Sequence, residues 1–425
     1  MPVTTPHSRR RFLRSSAALA AAAAFPLPAL AQKAPRVLVI GGGFGGASVA
    51  RELRNLDPKI HVTLIESNAT FTACPFSNAV IGGLRDLKAQ QFGYDKIRAG
   101  GVNVVNDTAT AVNPASRTVR LGGITLPYDR LVLSPGIDIR WGALPGYEQA
   151  AAAKMPHAWR AGDQTTLLRN QLVAMEDGGV VVMSVPANPF RCPPGPYERA
   201  SLIAHYLKTS KPKSKLIVLD AKDQFSKQRL FQSAWKELYP DHLEWVSLSA
   251  GGKVTSVDPA TNTLSTDFGK HAAQVANVIP PQKAGRIAEL AGVANQTGWC
   301  PIDPVTFESA LVPGIHVVGD ATIAGAMPKS AFSANAQAKV CAAAVAKLLT
   351  GAKPQEPRLI NTCYSLVAPG YGISVAGVYA PAKDMLAEVK GSGGVSRLDA
   401  PADVRAAEAV YAEAWYRTIT TEVFG

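Results

Sequence analysis

Six residues, Gly41-Gly42-Gly43-Phe44-Gly45-Gly46, carry the clearest chemistry in this chain. They follow a short apolar segment, Arg36 to Ile40, and run into Ala47 to Leu53, whose apolar spacing is helical. Gly41, Gly43 and Gly46 thus form G-x-G-x-x-G between a strand and a helix. Without side chains the backbone can approach a pyrophosphate, and the helix start offers free N–H groups and a positive dipole. A second apolar segment, His61 to Ile65, ends in Glu66, about 20 residues on, where a carboxylate takes the ribose hydroxyls of an adenosine. The expected ligand is a dinucleotide. The other reactive groups are five cysteines, Cys74, Cys192, Cys300, Cys341 and Cys363. A thiol that is activated and partly exposed is a nucleophile and a redox group. No C-x-x-C-H occurs, so the chain attaches no c-type haem itself, and no metal site is expected.

Two further segments identify the dinucleotide. Pro313 to Ala321 closes on Gly319-Asp320 and resembles the second flavin motif of disulfide-reductase-type flavoproteins, in which the Asp binds the ribityl chain. Tyr128 to Gly136 resembles their strand-then-Gly connector. Three motifs in this order point to FAD. Where such a protein carries its second Gly-rich loop, the sequence instead reads Pro186-Ala187-Asn188-Pro189-Phe190-Arg191-Cys192-Pro193-Pro194-Gly195. The nicotinamide site is expected to be lost, and the protein should not run on NADH. Cys74 follows the acidic-ended second strand, where the chain of such folds runs beside the flavin ring; one option there is a thioether to the flavin.

The elements that position these residues are readable in outline. Ser8-Arg9-Arg10-Arg11-Phe12-Leu13-Arg14, an alanine-rich apolar stretch and Ala29-Leu30-Ala31 form a twin-arginine export signal over 1–31, too short in its apolar part to span a membrane. Such signals serve proteins exported already folded, which suits an internally bound flavin and a bacterial periplasm. Removing the signal lowers the formal charge from +12 to about +8. That balance suits a small anion or an acidic protein face, or simply a solvated surface. Without Lys/Arg blocks or basic-aromatic interleaving, nucleic acid is not an expected partner. No later apolar run reaches 18 residues, so no transmembrane segment is expected. The predicted fold class is α/β, with two Rossmann-like domains, the second without a nucleotide loop, and a C-terminal α+β region. The expected boundaries are an FAD-binding domain at 32–145 and 276–352, a degenerate NAD-like domain at 146–275, and a flavin-covering, cytochrome-facing region at 353–425.

The resemblance becomes specific in five segments: Thr72 to Asn78 around Cys74, Pro189 to Ser201, Gly298 to Pro301, Met327 to Ser330, and Asn361 to Ser365. Together they resemble the flavoprotein subunit of flavocytochrome c sulfide dehydrogenase along essentially the whole mature chain. The resemblance implies that Cys74 bonds the flavin 8α-methyl group and that Cys192 and Cys363 form a disulfide beside the ring. It also implies sulfide as substrate and a cytochrome c subunit as partner in a heterodimer. Hydrosulfide would attack either the disulfide or the flavin directly. Glu198, six residues after Cys192 at a helix start, is the nearest base, or else an N-terminal acid favoured by the helix dipole. Lys329 would place positive charge at the flavin N1/O2 edge. Cys300 and Cys341 read as core thiols. Trp415 and Tyr416, in the last helix, belong to a docking face or to the core. The alternatives are a sulfide:quinone oxidoreductase, which needs a membrane-dipping apolar helix, and a non-catalytic redox partner protein.

Overall fold

Residues 36–40 have four fully buried positions in five, the unalternating pattern of a strand covered on both faces. The structure, a computed structural model, describes residue 1 and residues 34–425; the export-signal segment lies outside the described residues. The FAD-type elements are β1 (Arg36–Ile40), α1 (Phe44–Leu56), β2 (His61–Ile65), β3 (Asn103–Val105) and β4 (Arg130–Leu133). The turn between β1 and α1 needs its glycines. Gly41 has φ 102°, and a Cβ there would stand 2.2 Å from the Ser134 carbonyl oxygen; one on Gly46 would stand 1.8 Å from that of Gly41.

A second set follows: β5 (Val180–Val185), α2 (Gly195–Ser210), β6 (Lys215–Asp220), α3 (Gln228–Leu238), β7 (Leu243–Val246) and β8 (Val275–Val278). The chain then returns through β9 (Ile315–Val317) and α4 (Ala331–Leu349), and ends in β10 (Leu359–Ala368), β11 (Tyr371–Ala382), β12 (Met385–Glu388) and α5 (Ala402–Phe424). The first sheet is parallel in the order β9-β4-β1-β2-β3, and the second is parallel in the order β7-β6-β5-β8. The third, β10-β11-β12, is antiparallel, and α5 packs against it.

Two helix starts are set by local residues. The helix expected from Glu198 begins at Gly195, because Pro196 in the first turn costs no hydrogen bond there. Helix α4 begins at Ala331, capped by Ser330, whose hydroxyl accepts from the Ser333 N–H at 3.0 Å. Alanines let α4 approach α1 closely, and the Asn335 amide donates to the Ser48 hydroxyl across that contact at 2.9 Å. Cys341 on α4 and Cys300 are fully buried in the core.

Candidate active site

The Gly-rich turn, Glu66 and residues 107–110 line a groove at the C-terminal ends of β1 and β2, where open parallel sheets bind ligands. The groove continues into a deeper cavity, the two sharing Gly43, Phe71, Cys74, Ser134, Gly136 and Arg191. Gly41 and Gly43 border the groove, whereas Gly46 packs against the Gly41 carbonyl behind it. One Glu66 carboxylate oxygen accepts the Gly42 N–H at 2.7 Å, and the other accepts the Asn68 backbone and side-chain N–H groups at 2.9 Å.

Cys74, Cys192, Glu198, Asp320 and Cys363 all line the deeper cavity, although they come from four separate stretches of chain. Cys192 has a left-handed backbone, φ 56°, and its N–H donates to the Lys329 carbonyl at 2.8 Å. Gly195 leaves room for its sulfur: a Cβ there would stand 2.9 Å from the Cys192 Sγ. On β10, the Cys363 Sγ accepts from the Asn361 amide at 3.3 Å. Neither sulfur is bonded to another cysteine in the structure, and both Cys192 and Cys363 face the cavity. Burial pushes the Cys192 thiol up, and the neighbouring Cys363 and Glu198 add to that, against the cations Arg191 and Lys227.

Glu198 is a partly buried carboxylate with both oxygens engaged, by the Leu366 N–H at 2.9 Å and the Asn78 amide at 2.8 Å. Burial pushes it above the usual carboxyl range, while those two donors and the cations Lys227 and Arg199 pull the other way. Arg199, 1% exposed, fixes Asn78 in turn through a 3.0 Å bond to its oxygen, and burial lowers this guanidinium to about 9.

Asp320, at the end of β9, tests whether the cavity suits a flavin. Its Oδ1 is buried with no partner among the described residues, and Arg191 stands 3.9 Å from Oδ2. An acceptor orphaned in this way fits a polyol hydroxyl. Together with the side-chain-free backbone at Gly43 and the carboxylate of Glu66, it matches the shape and polarity of FAD.

Lys329 lies against the turn that carries Asp320. Its ammonium donates to the carbonyls of Asp320, at 2.8 Å, and Thr322, and lies 4.1 Å over the Trp299 ring. It braces the turn that carries Asp320 and lines neither cavity. The cation facing both is Arg191, whose guanidinium also bonds the Trp159 carbonyl. Burial alone would lower Arg191, but its neighbours Cys74, Asp320 and Cys192 hold it above its ordinary value. Arg191 and Arg199 flank Cys192 and Glu198 in sequence, a signal that could have drawn attention to them. Of the two aromatics, Trp415 lines the cavity and stacks on Phe332, while Tyr416 is buried, 5.0 Å from the Phe76 ring.

Comparison with known proteins adds four family-model matches to this geometry. Residues 165–280 match the central region of the sulfide dehydrogenase [flavocytochrome c] flavoprotein chain, and residues 355–424 match the flavocytochrome c sulphide dehydrogenase flavin-binding region. Residues 35–182 match the pyridine nucleotide-disulphide oxidoreductases, and residues 6–26 a twin-arginine translocation pathway signal sequence. A sulfide dehydrogenase [flavocytochrome c] flavoprotein chain of Chlorobaculum thiosulfatiphilum is 67% identical over 45 residues, 11% of this chain and 94% of that sequence. The mitochondrial sulfide:quinone oxidoreductase of Mus musculus is 22% identical over 296 residues; the match spans 67% of this chain and 65% of the mouse protein, just under two thirds of its length. Among solved structures, the sulfide:quinone oxidoreductase of Aquifex aeolicus shares the fold with a TM-score of 0.69 at 18% identity, over 92% of each chain.

Proposed function

The chain belongs to the family of flavocytochrome c sulfide dehydrogenase flavoprotein chains, and on that premise we propose that it oxidises sulfide to elemental sulfur or polysulfide with bound FAD and passes the electrons to a cytochrome c subunit, its partner in a heterodimer. Its twin-arginine signal directs it to the periplasm. The observation that carries the proposal is the convergence of Cys192, Cys363 and Glu198 in one cavity continuous with the dinucleotide groove.

In the oxidised pair, hydrosulfide attacks one sulfur, a new S–S bond forms, the old one breaks, and the other sulfur leaves as a thiolate. Glu198 takes up the proton, for which its raised affinity and its position within the cavity suit it. Bound FAD supplies a two-electron acceptor that can release electrons one at a time. The Gly-rich turn, Glu66 and Asp320 would hold it, Arg191 would balance negative charge beside it, and Cys74 would tether it. Trp415, Phe332 and Trp159 give the cavity apolar walls that keep water from the sulfur intermediates. A quinone-linked reading is less well supported, because the matches over 165–280 and 355–424 are to the cytochrome-linked family.

The test is anaerobic sulfide addition to the purified holoprotein. Bleaching of the flavin absorbance is expected, followed by reduction of added cytochrome c, and C192S or C363S should slow the bleaching by about 10³-fold or more. Full-rate bleaching in either variant would remove the sulfur pair from the reaction. Acid denaturation of the same preparation should leave flavin on the peptide containing Cys74; flavin released free would remove the tether.

A further inference from the structure

Behind the sulfur pair, outside the lining of both cavities, sits a lysine that the chemistry above does not use. Lys227 immediately precedes α3, has a left-handed backbone at φ 62°, and is only 8% exposed. Its ammonium donates to the Cys363 carbonyl at 2.9 Å and to the Ser365 hydroxyl at 2.8 Å. Both acceptors are neutral. Among the described residues no carboxylate forms an ion pair with Lys227, whereas the other buried ammonium nearby, Lys222, pairs with Asp220 at 2.7 Å. A buried cation without a counter-charge is costly, so its surroundings should favour any nearby group that can become an anion.

The groups able to do so come from three elements and the loop before α2. Cys363 lies on β10, Cys192 in that loop, Glu198 in the first turn of α2 and Glu408 on α5. Glu408 is already engaged by Ser374, at 2.9 Å, by Ser396 and by Arg405, at 3.2 Å. Of the four, Cys363 acts most strongly on Lys227, followed by Glu198 and Cys192; burial still brings the ammonium down to about 8.

We infer that Lys227 is a positioning residue for the sulfur pair: it holds Cys363 through its carbonyl and supplies the fixed positive charge that keeps one sulfur of the pair anionic at neutral pH. The inference rests on the proposed sulfide reaction and refines it. Opening of the disulfide by hydrosulfide leaves a thiolate, and Lys227 is the buried cation placed to balance it without blocking the cavity. Bonding to a main-chain carbonyl also fixes Cys363 against the motion that breaking its bond to Cys192 would allow.

The test measures the pH dependence of iodoacetamide labelling at Cys192 and Cys363 in the fully reduced holoprotein, read by peptide mass. In the wild-type protein the more reactive thiol should label with a midpoint below the ordinary thiol value of about 8.5. K227Q can still donate to both acceptors but carries no charge. It should move the midpoint up by about one unit or more, which means about tenfold slower labelling at pH 7, while K227R should restore much of the wild-type profile. An unchanged midpoint in folded K227Q would overturn the inference. If K227Q does not fold, the wild-type profile decides: both thiols labelling only above the ordinary value would overturn it equally. Flavin bleaching by sulfide, followed in parallel, separates the two ideas, since failure of wild-type bleaching would sink the proposed reaction and leave the labelling result standing on its own.

Discussion

Glu198 shows how far one side chain can be pushed by where it sits. Burial favours its neutral form in the folded protein, so its stabilising contribution is complete below the ordinary carboxyl value and is lost as pH rises through the raised one. E198Q should therefore flatten the fall in melting temperature between acid and neutral pH, as thermal unfolding at a series of pH values would show. It should also lower the rate of sulfide oxidation by about 10²-fold, the usual cost of losing a positioned proton acceptor; an unchanged rate would leave Glu198 as a helix-start acid and no more. At this scale Cys74, Glu198 and Asp320 could be picked out from residue type and local sequence, and Cys192 and Cys363 from the family resemblance; the structure lines one cavity with all five. The bracing of the Asp320 turn by Lys329 was not legible, because its backbone carbonyl partners have no side-chain signature. Lys227 was invisible, since it meets Cys363 from 136 positions away and no local pattern marks it.

Among the elements, α5 shows what a charged, weakly patterned helix can do. Its last side chain, Phe424, packs between Phe44 at 5.7 Å, Phe71 at 5.2 Å and Phe92 at 5.2 Å, joining the C-terminus to the start of α1 beside the Gly-rich turn. Arg51 on α1 closes the contact by donating to the Gly425 carbonyl at 2.9 Å. F424A should destabilise the holoprotein by about 3 kcal/mol and loosen flavin retention on dilution. Y411A, at a side chain that is 57% exposed on the same helix, should change stability by less than about 0.5 kcal/mol. Chemical unfolding of both variants checks the difference. The parallel strands were legible because β1 and β5 are short apolar runs bounded by turns. The inward face of α5 was not, because it buries Arg405 and Thr420 beside Ala409 and Tyr416 while Val410 and Tyr411 face outward, so hydrophobicity does not mark the side that packs on β10, β11 and the aromatic rings of residues 44–92.

At the scale of the whole molecule, the two parallel sheets share an architecture and differ at their mouths. The first ends in a glycine turn open to a ligand, while the second ends in Pro186 to Pro194 and an aromatic cluster. The carboxylate at the end of β6, Asp220, holds the place Glu66 holds after β2, yet it is fully buried and accepts from the Tyr197 hydroxyl at 2.7 Å, the Trp245 indole at 3.0 Å and Lys222. Tyr197 stacks on Phe225, which packs in turn on Trp235 and Trp245, so a cluster of rings encloses this carboxylate. Freeing Asp220 for a ribose would strip three donors and open this cluster, a cost that nucleotide contacts in a mouth lacking a Gly-rich turn cannot repay. NADH and NADPH should therefore leave the flavin oxidised under anaerobic conditions that let sulfide bleach it, and neither should raise the melting temperature. Bleaching by either nucleotide at a rate near that of sulfide would mean that the second mouth opens, and that electrons can enter this protein from the nicotinamide pool as well as from sulfur.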